Sequence, residues 1–318
     1  MRAIDSFSGT RRRSFKGAAD RPATPIFIRN FSVNSSLTRG RIVLLTAGLL
    51  WSLAGIFIKW LPLPPLTIVF YRSLFASLFF AFFAGKSVSK PRGALLLSAI
   101  SYTAAISAFV AANKITTAAN AIVLQYTAPI FVFVIIHFFF REKITRASWL
   151  FLGFGMMGVA VICAGSAGQP DAAGVTIALL SGLLFAIYMV SLRFLKDVNA
   201  GTLTFLNNAA CCLLLLPLVR SDLALSFTEG VVVAVMGVVQ LGLPYWLFSK
   251  GVEKIPLQEA SLIVLIEPVL NPLWVALAVG EVPSMATLLG GGLIVASLAF
   301  RYLWQLFNRS VPAGYAQG

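Results

Sequence analysis

From Arg41 onward the chain reads as apolar stretches of helical length divided by short polar breaks. The stretches run 41–60, 65–84, 93–112, 118–140, 147–165, 174–193, 202–219, 229–249, 260–280 and 285–304. Each is close to the roughly twenty residues a helix needs to cross a hydrocarbon core of about 30 Å. The breaks are turn-like: LPLPP at 61–65, GKSVSKPRG at 85–93 and SAGQPDAAG at 166–174. None has the length of a soluble domain. In lipid, backbone polar groups must be satisfied within the segment, so the pattern predicts an all-α membrane protein with ten transmembrane helices.

The pattern also repeats. With an offset of 139 residues, Ala121, Pro129, Glu142, Ala147, Leu150 and Gly153 fall on Ala260, Pro268, Glu281, Ala286, Leu289 and Gly292 without a gap. The first helices of the copies agree as well: LLWSLAGIFIKW at 49–60 resembles LLFAIYMVSLRF at 183–194, with Lys59 against Arg193. The expected layout is a basic tail at 1–40 without regular structure, a first five-helix repeat at 41–166, a second at 174–304, and a C-terminal tail at 305–318. Five is odd, so the second copy enters the membrane from the opposite face. Two inverted five-helix halves are an arrangement built for alternating access, with the solute site where the copies meet.

Charge orients this layout. Of the 25 basic residues, 21 lie before the first stretch, in every second break, or after the last, including Arg11, Arg12, Arg13, Lys86, Arg141, Lys143, Arg193, Lys250 and Arg309. Lys59, Lys114 and Arg220 lie on the other side, and Arg72 lies within a stretch. The positive-inside rule then puts both termini in the cytoplasm, in a cell (inner) membrane. A net charge of +14 would suggest nucleic acid in a soluble domain. With 58% hydrophobic and 11% charged residues, it reads instead as loops beside anionic lipid, and nucleic-acid binding is not expected. The tail before Arg39 has no apolar core of a signal peptide. Its Arg- and Ser-rich, acid-poor composition leaves an organelle transit peptide as the alternative to a cytoplasmic tail. Cys163, Cys211 and Cys212 sit in apolar stretches with no metal spacing.

These residues resemble the EamA-like branch of the drug/metabolite transporter superfamily. The resemblance runs from Arg41 to about Trp304. In the first half it lies on Asn113, Ala118, Ala119, Pro129, Glu142, Gly153 and Gly158; in the second on Ala260, Glu267-Pro268, Gly280-Glu281 and Gly290 to Gly292. Trp51 and Arg72 also match. In one departure, Arg141 stands where the second copy has Gly280. The resemblance implies a ten-helix carrier of small metabolites, often an amino-acid exporter driven by a proton gradient, with the cavity between the first four helices of each half and the fifth helices supporting it. The alternatives are a carrier of another solute (drug, nucleotide-sugar or S-adenosylmethionine type) or an intramembrane enzyme. The last would need a clustered catalytic set, which one histidine and one deep acid do not supply; no enzyme activity is expected.

The candidate site follows from polar groups inside apolar stretches. Of eleven acids only Glu267 lies well inside a stretch, with Glu229, Glu259 and Glu281 at stretch ends, and Arg72 is the one cation well inside. Ionisable groups at such depth face a cavity or a partner. Glu267 is a candidate for the coupling proton or for a cationic part of the solute. Its competing role is to hydrogen-bond backbone freed by proline. Helical rise offsets Arg72 and Glu267 by about 10 Å along the membrane normal, so opposite ends of one solute are expected there, not an ion pair. Gln125 precedes Pro129 by four, Gln240 precedes Pro244 by four and Asn271 follows Glu267 by four, placing amides beside the bends. Tyr126, Trp51, Tyr102 and Trp246 complete the candidate lining, with packing as their competing role. Pro129 and Pro268 are the candidate hinges. The glycines at 153–158 and 290–292 are expected to let helices pack closely. No GK[ST] follows them, and no cofactor or metal site is expected.

Overall fold

The computed structural model describes residues 26–85, 92–141, 146–169 and 171–308. The basic run at 11–13, Lys86, Lys90, Glu142, Lys143 and Arg309 lie outside the described residues. Among the described residues ten apolar helices follow one another, nine of them long enough to span and a tenth, Pro65–Ala81, of 17 residues. We label them α1 (α1a Ile26–Ser52, α1b Ala54–Trp60), α2 (Pro65–Ala81), α3 (Arg92–Ile115), α4 (α4a Ala118–Gln125, α4b Ala128–Phe140), α5 (Arg146–Ser166), α6 (Ala172–Ser191), α7 (Ala200–Val219), α8 (Phe227–Val252), α9 (α9a Leu257–Val264, α9b Glu267–Val279) and α10 (Met285–Asn308). Among the described residues there is no strand.

Within the tail expected at 1–40, residues 26–40 are helical and form the start of α1a, and residues 1–25 lie outside the described residues. No proline or run of glycines lies between Ile26 and Ser52. Once the apolar part is helical, extension adds one backbone bond per residue without a new nucleus.

Helix packing exchanges elements between the repeats. α1 lies against α8 and α9, and their repeat counterparts α6, α3 and α4 lie together in the same way. The molecule thus contains two three-helix bundles, α1–α8–α9 and α6–α3–α4, each built from both halves of the sequence. α2 packs on α7 and α5 on α10, each helix on its own counterpart. This is the packing expected of two inverted halves related by a twofold axis.

Close approach explains some of the glycines. A Cβ on Gly158 would stand 2.5 Å from the Gly290 carbonyl oxygen, and one on Gly290 equally close to the Gly158 carbonyl oxygen. The α5–α10 crossing therefore tolerates no side chain there. Gly153 and Gly292, expected to pack likewise, would point a Cβ into open space.

Helix breaks recur at the repeat offset. Tyr126–Thr127 interrupt α4 and Leu265–Ile266 interrupt α9, each just before a proline that cannot donate to the preceding turn. The far ends also match: α4b and α9b finish at Arg141 (φ 54°) and Gly280 (φ 77°), both left-handed. Arg141 thus takes a conformation that glycine occupies freely in the other half.

Candidate functional site

A cavity of about 330 Å³ lies between the two bundles. Three irregular helices shape it. In α8 the segment Met236–Gly242 widens to a π-helix ahead of Pro244. Gly237 lets this turn touch α2, since a Cβ there would sit 2.6 Å from the Arg72 carbonyl oxygen. In α1 the break falls at Leu53, where Gln240 Nε2 donates to the Trp51 carbonyl at 3.2 Å. In α9 the missing N–H of Pro268 leaves the Val264 carbonyl open to the side.

Of the residues singled out in the sequence, Trp51, Arg72, Tyr102, Gln125, Tyr126, Gln240 and Glu267 line the cavity, and so does Pro129. Asn271 does not: it is fully buried, with its carboxamide oxygen 2.5 Å from where a Cβ on Gly55 would lie, so it packs α9b onto α1b. Trp246 does not either: its ring faces Phe83, centroids 6.3 Å apart. Its place is taken by Tyr245 and Phe248, which pack on Trp51 with centroid distances of 5.1 and 5.6 Å. The π turn brings the fifth residue after Gln240, Tyr245, over it, and Trp246, the next residue, points about 100° away, toward Phe83. Phe109, Phe185 and Tyr302 were also missed; apolar aromatics carry no signal that separates a cavity wall from lipid contact.

The two ends of the cavity differ in charge. At one end the Arg72 side chain is only 3% exposed. Its Nε has no hydrogen-bond partner, and among the described residues no carboxylate pairs with it. Tyr102 beside it is held by donating to Asn208 Oδ1 at 3.1 Å, while Ser98 donates to Asn207 Oδ1 at 3.1 Å. The mid-helix asparagines of α7 thus fix the wall and do not line it. Gln240 Oε1 is also left without a donor. At the other end Tyr126 donates to Glu267 Oε2 at 2.7 Å, and its hydroxyl lies 3.3 Å from the freed Val264 carbonyl. Tyr126 belongs to one bundle and Glu267 with Val264 to the other, so this hydroxyl bridges them. A hydroxyl has one proton to give. It can satisfy the carboxylate or the carbonyl, and a neutral Glu267 would release it to the carbonyl. Between the ends run apolar faces of Ile106, Phe109, Phe185, Leu241 and Phe248. The arrangement can hold a small solute with an anionic group, an apolar body and a second polar group.

Comparison with known proteins agrees with this fold. An uncharacterized transporter of Archaeoglobus fulgidus is 26% identical over 261 residues, covering 81% of this chain and 94% of its own. The uncharacterized transporter YxxF of Bacillus subtilis is 24% identical over 273 residues, covering 81% and 88%. One solved crystal structure superposes on 85% of this chain and 98% of its own with a TM-score of 0.60 at 20% identity, a likeness of fold. The model of the EamA-like transporter family matches twice, over residues 38–164 and 172–303. Ten apolar helices in two matching sets, enclosing a polar-ended cavity, are thus accounted for by one conclusion: this multi-pass membrane protein belongs to the EamA-like transporter family.

Proposed function

We propose that the protein exports amino acids or closely related metabolites by alternating access, with the cavity between the two bundles as the solute site. One observation carries this reading: a buried guanidinium that has no counter-ion among the described residues and a carboxyl face the same small cavity from different ends. A zwitterion satisfies both, its carboxylate meeting Arg72 and its ammonium meeting Glu267. Gln125, Gln240, Tyr102 and Trp51 orient the solute, and the breaks at Pro129 and Pro268 serve as hinges. Glu267 holds either the coupling proton, taken from and returned to water, or the solute's ammonium, and Tyr126 follows its charge by turning between carboxylate and carbonyl. The basic-residue asymmetry supports a cell-membrane location with both termini in the cytoplasm. The two bundles, each with helices from both repeats (41–166 and 174–304), are the bodies that rock.

The test is counterflow of radiolabelled L-amino acids into proteoliposomes, with and without an imposed pH gradient. Wild-type protein is expected to accelerate uptake of at least one amino acid and to respond to the gradient. Glu267→Gln, whose amide oxygen still accepts from the ammonium but carries no charge, is expected to keep a reduced solute exchange and lose the gradient response. Gradient-driven flux retained in full by that variant ends the proton assignment. No flux with any amino acid ends the solute assignment.

A further inference from the structure

A second polar cluster, away from the cavity, joins the bundles at the end that carries loops 61–64 and 280–284. Lys59 Nζ, at the end of α1b, lies 2.6 Å from Glu281 Oε2, just past α9b, with side chains 16% and 20% exposed. The pair lies within one bundle, but both members also bond across to the other. Lys59 Nζ donates to the Thr116 carbonyl at 2.8 Å, at the end of α3. Glu281 Oε1 accepts from the Ala118 N–H at 2.6 Å, capping the first turn of α4a. In return Lys114 Nζ donates across to the Leu61 carbonyl. The cluster is anchored behind: Thr116 donates to Asp171 Oδ2 at 2.9 Å, and Asn120 Oδ1 accepts from Thr287 at 2.7 Å.

Packing between the bundles follows the same asymmetry. α1b meets α3, and α9b meets α4a, all in this end of the molecule. Among the described residues α1a, α9a and the last part of α8 have no packing of similar extent against α4b or α6. The ion pair at that other end, Arg41 with Glu259 at 2.5 Å, joins α1 to α9 within one bundle and holds nothing across.

We infer that Lys59, Lys114 and Glu281 form a latch that holds the carrier shut at this end, and that the latch must open for the cavity to reach that side. The inference rests on the alternating-access reading and not on which solute is carried. Glu281 is a positioning residue: it touches no solute and acts by pinning the start of α4a. Each bond to a charged group that is lost shifts the closed-to-open ratio by about tenfold.

The test needs no solute. Ala54, on the cavity wall in α1b, is replaced by cysteine in the full chain, in sealed membrane vesicles of each orientation. A membrane-impermeant maleimide is added from one face, and peptide mass spectrometry follows labelling at position 54. In the wild-type background, labelling from the latch face is expected to be slow. Glu281→Gln and, separately, Lys114→Met are expected to raise it about tenfold. Arg41→Gln, at the opposite end, is expected to leave it unchanged. Equal labelling in wild type and both latch variants, or the same rise with Arg41→Gln, overturns the latch while leaving alternating access standing. No labelling from that face in any background removes alternating access and the latch together. Should Glu281→Gln not fold, Lys114→Met carries the same test.

Discussion

Replacing Arg72 with methionine should make the empty protein more stable and the carrier inactive. The guanidinium is 3% exposed, its Nε is unbonded, and no described acid neutralises it. An uncompensated charge at such a site costs several kcal/mol in desolvation. Methionine is unbranched and flexible, and its thioether packs well against the neighbouring Tyr102 and Tyr245 rings. Exchanging buried ionic groups for apolar ones of similar volume gains about 1–4 kcal/mol in favourable cases. For a chain of 318 residues, 1 kcal/mol is worth roughly 1–2 °C in Tm, so a rise of a few degrees is expected. The assay is differential scanning fluorimetry of the detergent-solubilised wild type, Arg72→Met and Arg72→Lys, alongside counterflow in proteoliposomes. Arg72→Met should melt higher and lose uptake of carboxylate-bearing solutes by at least about tenfold, the equivalent of one charge-assisted bond. Arg72→Lys should keep a fraction of the uptake, since a point charge replaces the two-pronged guanidinium. A lower melting temperature for Arg72→Met would show that Arg72 has a structural partner after all. Unchanged uptake would show that it does not meet the solute.

Two further predictions concern the scaffold. Arg141→Gly should stabilise the protein by roughly 0.5–1 kcal/mol, read as a higher Tm, because the left-handed cap costs arginine more than glycine loses in chain entropy; a drop in Tm would contradict this account of the α4b end. Gly158→Val should destabilise by about 1–3 kcal/mol or more through overlap with the Gly290 carbonyl, whereas Gly153→Val, which meets nothing, should be near neutral in the same melt.

Much of the architecture is written locally. Hydropathy windows mark the spans, because any helix in lipid must be apolar over its own length. The offset of 139 residues locates both proline breaks before any coordinates, and Arg72 and Glu267 stand out because a charge in an apolar window is visible residue by residue. Which side chains meet is another matter. Tyr245 lines the cavity because a π turn, in contact with α2, brings the fifth residue after Gln240 onto that face, and Trp246 beside it turns away. The break in α1 has no proline to announce it; it accompanies the bond from Gln240 of α8 to the Trp51 carbonyl. Asn271 fell on the packed side of α9b, against Gly55, which only the fit of α1b decides.

The amino-acid order by itself determined the helices, their inverted pairing and the charges that lipid would not tolerate alone. The tertiary structure alone decided that the halves exchange helices, that no described acid lies beside Arg72, and that the bonds of Lys59, Lys114 and Glu281 between the bundles gather at one end. Burial and helix formation depend on each segment's own composition. Partnership between charges depends on distances across helices far apart in sequence, and those are fixed only when the helices pack.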